Sequence, residues 1–532
     1  MNRRILWMLP VAGAAVLVAS GAASPISGPS LTNVPNANTK SNGYAPPSVL
    51  SPELRQTIVA QGAMKVENPS TAISYYGYDN NVLNPAGQPV MVPTSTNPTE
   101  AKKTEPDKNT YLVFKDGLTG ADPSYDYGTH FLFQGHETGS PGYITRINLD
   151  ADAAHRVTLL ATADSTGASI ADIDGSTWDP WAQRLLFTTE SPGAPTYAAT
   201  PGYPSTVTDV SGALGRGGYE GIQNDSQGNI WIVEDIGGSN KPGTVAKRPN
   251  SFVYRYVPAQ PGDLQHGKLE ALQVLNAAGD PITFESQAPL NSADAVALHT
   301  YGQSFRTKWV LVHDTAVSNT PFNANDVAKA AHATPFKRPE NGAFRPGSKF
   351  TEFYFDETGD TNATSVENDT AGGWGSVMKL TQASPGADTG SLTMFYKANQ
   401  STAGFDNVTF LSRDKLTFVQ DAGDSLHGQA NALDSGFVFD ANADYSDAAN
   451  QPLRWLAEGR DPSATLDSAG VPGGNEGDNE ITGVHVSDGD PSIDGILGAK
   501  IPQLFDNPNW RWFRTQQHGD NNTWEVIPAS GN

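Results

Sequence analysis

The chain has 532 residues, with 34 basic and 57 acidic side chains, a formal net charge of −23 and no cysteine. The lack of cysteine excludes disulfide scaffolds, thiol enzymes, iron–sulfur proteins and cysteine-ligated zinc sites. The acidic excess argues against a nucleic-acid partner, because binding to phosphates requires a basic surface.

A signal peptide is predicted at residues 1–23. Arg3 and Arg4 form a positive region, an apolar stretch runs from Ile5 to about Ala19, and small residues follow, as a signal peptidase requires. A membrane anchor is the alternative, because the apolar stretch approaches the roughly 20 residues that span a bilayer. We expect export to the periplasm or the extracellular space, by a Sec or a twin-arginine route, with no membrane span after signal cleavage.

Residues 24–110 are expected to form an extended leader and a short helix that pack on the main domain. The leader is rich in Pro, Ser and Asn. Ser51 has the residue type of a helix N-cap and Pro52 suits the first helical turn. The predicted helix ends near Lys65.

Residues 111–532 have the pattern of an all-β domain, in which short apolar runs alternate with Gly, Asp, Asn and Pro. One unit recurs, consisting of a polar turn, an apolar strand and a terminal acid. It is found at 179–190, 224–235 and 411–421, with a shorter relative at 307–314. Because Glu190 and Glu234 are 44 residues apart, the period is that of propeller blades. We predict a β-propeller; a β-sandwich is the alternative.

The sequence has no nucleophile elbow, phosphate-binding loop or zinc-protease motif, and His136-Glu137 lacks a second histidine. Carboxylate and amide oxygens remain, which are the ligands of hard cations such as calcium, iron(III) and manganese. In a propeller, acids at equivalent strand positions meet in the central channel. The candidates are Glu190, Glu220, Glu234, Asp235, Arg338, Glu340, Asp406, Asp421, Glu480 and His518.

Arg338 and Glu340 are separated by one residue. In an extended segment both side chains would point to the same side. Glu340 would then hold a metal while the guanidinium binds an oxyanion on that metal. The alternative is an ordinary ion pair in a loop.

Four of these segments resemble, in the same order, the motifs of the PhoX-type secreted alkaline phosphatases. The similar blocks are LGRGGYE at 214–220 followed by VYRYV, RPE at 338–340, FDNVTF with LTFVQD at 405–421, and NEITG with QQHG near the C-terminus. The resemblance covers roughly residues 120–520. It implies a decorated six-bladed β-propeller that hydrolyses phosphomonoesters at a cluster of iron(III) and calcium.

Carried over to this chain, the resemblance implies that Glu220 and Glu340 bind metal and that Arg338 binds the substrate phosphate. Asp406 and Glu480 would lie in or beside the metal site. The family's cysteine ligand is missing here, and Asp174 or Asp172 would replace it.

The family's pair of acids followed by asparagine is reduced to Glu190, Ser191 and Pro192. Calcium is therefore the better supported metal, and iron(III) is less so without a thiolate. The expected partner is a small phosphorylated substrate, and the expected state is a monomer.

Two other functions stay open. A calcium site of acids and amides would also polarise a lactone carbonyl, as in a calcium-dependent lactonase. The missing cysteine and the altered segment after Glu190 would also suit a non-catalytic, calcium-stabilised surface or binding propeller.

Overall fold

The computed structural model describes residues 28–39, 46–138, 141–239, 247–283, 292–360, 369–460, 480–517, 519 and 521–529. The predicted signal peptide lies outside these residues.

Four short strands precede the first complete sheet. They are β1 (Val49–Leu50), β2 (Leu54–Ala60), β3 (Ile73–Tyr75) and β4 (Tyr78–Asp79). The helix predicted after Ser51 is therefore wrong, because β2 occupies that segment. Thr57, Ile58 and Val59 are consecutive β-branched residues, which favour a strand over a helix.

The next eight strands form two antiparallel four-stranded sheets, each with its strands in chain order. The first sheet contains β5 (Pro106–Val113), β6 (His130–His136), β7 (Tyr143–Asn148) and β8 (Val157–Ala161). The second contains β9 (Ile173–Asp179), β10 (Arg184–Thr189), β11 (Tyr197–Ala199) and β12 (Val207–Asp209). The expected domain boundary at residue 111 falls inside β5.

A nine-stranded sheet follows, in which β17 joins two four-stranded meanders. The first part contains α1 (Ser211–Leu214), β13 (Tyr219–Asn224), β14 (Ile230–Glu234), β15 (Val253–Pro258), β16 (Gly267–Leu275), α2 (Ala293–Leu298) and β17 (Phe305–Asp314). The second part contains α3 (Ala324–Ala330), β18 (Gly342–Phe344), β19 (Glu352–Glu357), β20 (Ser376–Gln382) and β21 (Thr389–Lys397). The segment 307–314 is thus part of a connecting strand and is not equivalent to the other recurring units.

The last two sheets each take up a strand from the N-terminal region, since β1 pairs with β25 and β2 pairs with β28. Their elements are β22 (Phe405–Phe410), β23 (Lys415–Gln420), α4 (Gly423–Ala430), β24 (Ser435–Asp440), β25 (Leu453–Ala457), β26 (Glu480–Ser487), β27 (Arg511–Gln517) and β28 (Asn522–Pro528). Residues near the N-terminus therefore complete sheets made from the C-terminal third of the chain.

The first strands of the meanders contact one another in a closed ring, in the order β5, β9, β13, β18, β22, β26 and back to β5. Apolar clusters fill the space between neighbouring sheets, for example around Trp231 and around Phe405. The fold is a β-propeller, as predicted, and the ring surrounds its central channel. The number of blades stays a prediction, because β17 merges two meanders into one sheet.

The helices in the described part of the chain are short. None of them has both the length and the apolar character that a membrane span needs.

The pairing of β2 with β28 is predicted to stabilise the ring. Leu54 is buried against Trp455, Trp512 and Val526. Leu54→Ala should lower the free energy of unfolding by about 2–5 kcal/mol, because it leaves a cavity. Denaturant unfolding measures the change, with Thr57→Ala on the exposed face of β2 as the matched control. Equal stability of the two variants would contradict the prediction that the pairing of β2 with β28 stabilises the ring.

Candidate metal centre

Acids recur at one position of the inner strands. The second residue of β5, β9, β13 and β22 is, respectively, Asp107, Asp174, Glu220 and Asp406. All four side chains are buried. Since these strands form the ring, residues far apart in sequence meet at one end of the channel.

A second set of acids follows the second strand of four meanders. The residue directly after β6, β10, β14 and β23 is, respectively, Glu137, Glu190, Asp235 and Asp421. Three of these strands, β10, β14 and β23, are the apolar runs of the recurring unit predicted from the sequence. The equivalent acid in the second unit is therefore Asp235, one residue beyond the Glu234 that the spacing suggested.

The two sets combine into two groups of three carboxylates. Asp107, Glu137 and Asp174 have one oxygen each within 4.8 Å of the others, and so do Glu190, Glu220 and Asp235. We call these the first and the second triad. The triads adjoin, because Asp174 and Glu220 interact through their side chains.

Arg338 lies beside the second triad. Its Nε donates to Asp235 Oδ1 at 2.8 Å, its Nη2 donates to Asp235 Oδ2 at 2.5 Å, and its Nη2 is 3.3 Å from Glu340 Oε1. The two contacts with Asp235 fix the plane of the guanidinium. Arg338 and Glu340 thus come together, as predicted.

The predicted reason for that proximity is wrong, because Arg338 is not extended. Its φ of 58° lies in the left-handed region, which costs a side-chain-bearing residue about 1–3 kcal/mol. The neighbouring backbone holds this conformation: the Arg338 carbonyl accepts a hydrogen bond from the Thr358 amide at 2.9 Å, and the Lys337 amide donates to Glu357 Oε1 at 2.9 Å. Strain held next to charged groups is typical of functional sites.

Lys108 and three amides connect the acids across the channel. Lys108 Nζ donates to Asn341 Oδ1, and Asn407 Nδ2 donates to Asp406 Oδ1 at 2.8 Å. Gln517 Nε2 donates to both Asp107 Oδ2, at 2.9 Å, and Glu137 Oε2, at 2.8 Å. The network joins residues of β5, β22 and β27 with the segment before β18.

Burial is the main cause that raises the pKa of these acids well above the ordinary carboxyl range, and neighbouring carboxylates raise it further. This holds for Asp107, Glu137, Asp174, Glu220, Glu340 and Asp406. Burial acts to lower the pKa of Arg338, but Asp235 and Glu340 outweigh it and raise the pKa above the ordinary arginine value. A cation among the acids would offset their mutual repulsion.

Several buried oxygen atoms at the site have no hydrogen-bond partner among the described residues. They are Asp174 Oδ1, Asp406 Oδ2, Asn407 Oδ1 and Asp356 Oδ2. Buried polar atoms are normally paired, so open oxygens beside two carboxylate triads fit cation ligands. Among the described residues these donors are oxygen atoms, which suit calcium and other hard cations, and the chain has no cysteine that could supply a thiolate.

The other predicted residues lie in different surroundings. Glu480 begins β26, is half-buried, and pairs in register with Gln517, so it borders the first triad. Asp172, the alternative to Asp174, accepts a hydrogen bond from Ser191 at 3.1 Å. His518 lies outside the described residues.

Glu234 points away from the triads into an apolar cluster. Its Oε2 accepts hydrogen bonds from Asn325 Nδ2 at 2.9 Å, the Phe252 amide at 3.0 Å and Tyr254 Oη at 3.2 Å. Successive strand residues face opposite sides, which explains why Asp235 reaches Arg338 and Glu234 does not.

Sequence reasoning missed Asp107, Glu137, Lys108, Asn341 and Gln517. Glu137 had a usable signal, because it ends a turn–strand–acid unit, yet His136-Glu137 was tested only as a zinc-protease motif. A buried lysine among acids has no sequence signal, since lysine is rarely buried.

The surroundings of Glu234 generate a prediction about pH. Burial raises its pKa to about 8, so the carboxyl is protonated at neutral pH. The protonated carboxyl makes its full contribution to the free energy of unfolding below the ordinary carboxyl pKa near 4.5. This contribution is lost as pH rises towards 8, at up to about 1.4 kcal/mol per pH unit. Glu234→Gln should therefore flatten the fall of the free energy of unfolding between pH 5 and 8, as measured by denaturant titrations.

Exposed Asp152→Asn is the control for Glu234→Gln. An unchanged pH dependence in Glu234→Gln would show that the carboxyl is ionised in the folded chain.

Comparisons with known proteins bear on the family and on the fold. The family model for alkaline phosphatase PhoX matches residues 213–490, just over half of the chain. The structure of Pseudomonas fluorescens PhoX in complex with vanadate, a transition-state analogue, is similar with a TM-score of 0.51 and 11% sequence identity, covering 93% of this chain and 98% of that one. No sequence among the curated proteins matches.

Two gluconolactonases show weaker structural similarity. The Xanthomonas campestris enzyme has a TM-score of 0.33 and 12% identity, over 80% of this chain and 95% of that one. The periplasmic Pseudomonas aeruginosa enzyme has a TM-score of 0.30 and 12% identity, over 90% and 98%. The family match spans β13 to β26 and includes Glu220, Arg338, Glu340 and Asp406. The chain belongs to the alkaline phosphatase PhoX family.

Proposed function

We propose that this chain is an exported, metal-dependent phosphatase that hydrolyses small phosphomonoesters in the propeller channel. The observation that carries the proposal is Arg338, whose guanidinium is fixed by Asp235 and Glu340 at the edge of two carboxylate triads. A positively charged fork beside a cation-binding cluster is the chemistry that recognises a phosphate ester.

The two triads are the proposed metal ligands, with Glu340 and Asp406 beside them and Glu480 at the border. Calcium fits this oxygen donor set; iron(III) is the alternative hard cation, without the family's cysteine. Bound cations would neutralise the acids and stabilise negative charge on the transferring phosphoryl group.

The chain's own residues have separate tasks in this proposal. Arg338 binds and orients the phosphate oxygens. Asp235 holds the guanidinium plane, so a substrate meets a fork that is already positioned. The left-handed backbone at Arg338, held by Thr358 and Glu357, aims the side chain at the triads.

The proposed organisation follows the expected boundaries with one change. Residues 1–23 are removed on export, and 111–532 supply most of the propeller. The described residues between 28 and 110 contribute β1 and β2 to its sheets, so we propose that they are part of the propeller domain and not a leader that packs on it.

Arg338 favours a phosphatase over the two alternatives. A lactone substrate carries no phosphate dianion for the guanidinium, and a purely structural calcium site needs no strained arginine at its edge. Turnover of a lactone without turnover of a phosphomonoester would support the lactonase. Calcium-dependent melting with neither activity would support a binding propeller.

Loss of the guanidinium is expected to remove phosphatase activity. Arg338→Ala should lower kcat on an aryl phosphate by about 100- to 1,000-fold, the usual cost of losing one transition-state donor. Glu340→Gln should also reduce the rate, because it removes a proposed ligand. Steady-state kinetics of the calcium-loaded protein measure both effects.

Arg216→Ala is the matched control, because Arg216 forms a partly exposed ion pair with Asp209, which belongs to neither triad. Wild-type rates in both Arg338→Ala and Glu340→Gln would contradict the assignment.

Chelation is expected to destabilise the folded chain. Cations that bind only the native state stabilise it by mass action, so EDTA should lower the Tm and added calcium should restore it. Calorimetry of wild type and Glu220→Gln tests this, and the variant should respond less. A Tm that is insensitive to EDTA and to calcium would contradict the proposed metal centre.

A further inference from the structure

Lys108 is a buried base in the middle of an acidic channel. Its side chain is 2% exposed, and it follows Asp107 in β5, the first strand of the ring. Few lysines are buried to this degree, because an ammonium loses its hydration in the interior. Such a position requires compensating negative charge.

Burial lowers the pKa of Lys108, and four acids on different strands oppose that shift. Asp406, Asp107, Asp174 and Asp356 all interact electrostatically with the Lys108 ammonium. The direct contact of Nζ is the carboxamide oxygen of Asn341. The ammonium therefore lies where carboxylate and amide oxygens converge, which are the surroundings of a bound cation.

Oxygen atoms of Asp406 and Asn407 in these surroundings also suit a bound cation. Asp406 Oδ2 and Asn407 Oδ1 are buried and have no partner among the described residues. Asn341 Nδ2 lies 3.4 Å from Asp406 Oδ1, so Lys108 and Asp406 contact the same amide. Without the ammonium, Asn341 Oδ1 would lose its hydrogen bond from Lys108, beside the open oxygens Asp406 Oδ2 and Asn407 Oδ1.

We propose that Lys108 is a built-in cation of the channel, a positioning residue that takes the place of one divalent metal ion beside Asp406. Its fixed charge holds the β5 and β22 acids together and limits how many cations the channel binds. The inference rests on the metal centre of the proposed function.

The test compares Lys108→Met, which removes the charge at similar size, with Lys108→Arg, which keeps it. Each protein is equilibrated with calcium, freed of excess ion by gel filtration, and analysed for calcium per chain. Circular dichroism and melting in calcium and in EDTA report the fold. Lys108→Met should retain about one calcium ion more than wild type and should depend more on calcium for its Tm, whereas Lys108→Arg should match wild type.

Two results would overturn the proposal. One is a folded Lys108→Met protein with the calcium count and the EDTA response of wild type. The other is a Lys108→Met protein that fails to fold even in calcium while Lys108→Arg folds, because calcium then cannot replace the ammonium. The role of Lys108 is tested by the difference between variant and wild type in the number of calcium ions bound per chain. The number bound by wild type itself tests the proposed metal centre separately.

Discussion

The repulsion among buried carboxylates is the constraint on which the rest of this molecule depends. Two like charges about 4 Å apart repel by about 4 kcal/mol where the effective dielectric constant is near 20. The channel brings two triads to this kind of spacing, with more acids beside them. Protonation, fixed cations and bound metals are the ways to relieve the repulsion. The repulsion adds to the rise that burial causes in the pKa of these acids, and the charges of Lys108 and Arg338 offset part of it.

The propeller supplies the geometry that makes this concentration of charge achievable. Four meanders place one acid at the second residue of their first strand and another directly after their second strand, and the ring of first strands turns these positions inward. The apolar clusters pack between the sheets, outside the channel. This packing stabilises the fold, so the channel itself can hold charged residues. Arg338 needs further support, because its left-handed backbone depends on Thr358 and Glu357.

Local sequence patterns predicted the features that repeat. The turn–strand–acid unit identified Glu190 and Asp421 and supported the propeller, because hairpins leave a clear signature. It missed the unit that ends at Glu137, because His136-Glu137 was compared only with a zinc-protease motif. The positive φ of Arg338 and the burial of Lys108 depend on contacts with distant strands, so no local pattern encodes them. The helix predicted after Ser51 failed because pairing with β28 overrides a cap-like tripeptide.

The central claim is that cations bind between the carboxylates at this end of the channel. Anomalous X-ray diffraction from crystals grown with calcium, collected at wavelengths that separate calcium from iron, locates such ions directly. The metal-centre hypothesis predicts anomalous peaks within ligand distance of Asp107, Glu137 and Asp174, and of Glu190 and Glu220. A well-ordered channel with intact carboxylates and no anomalous peak would contradict it.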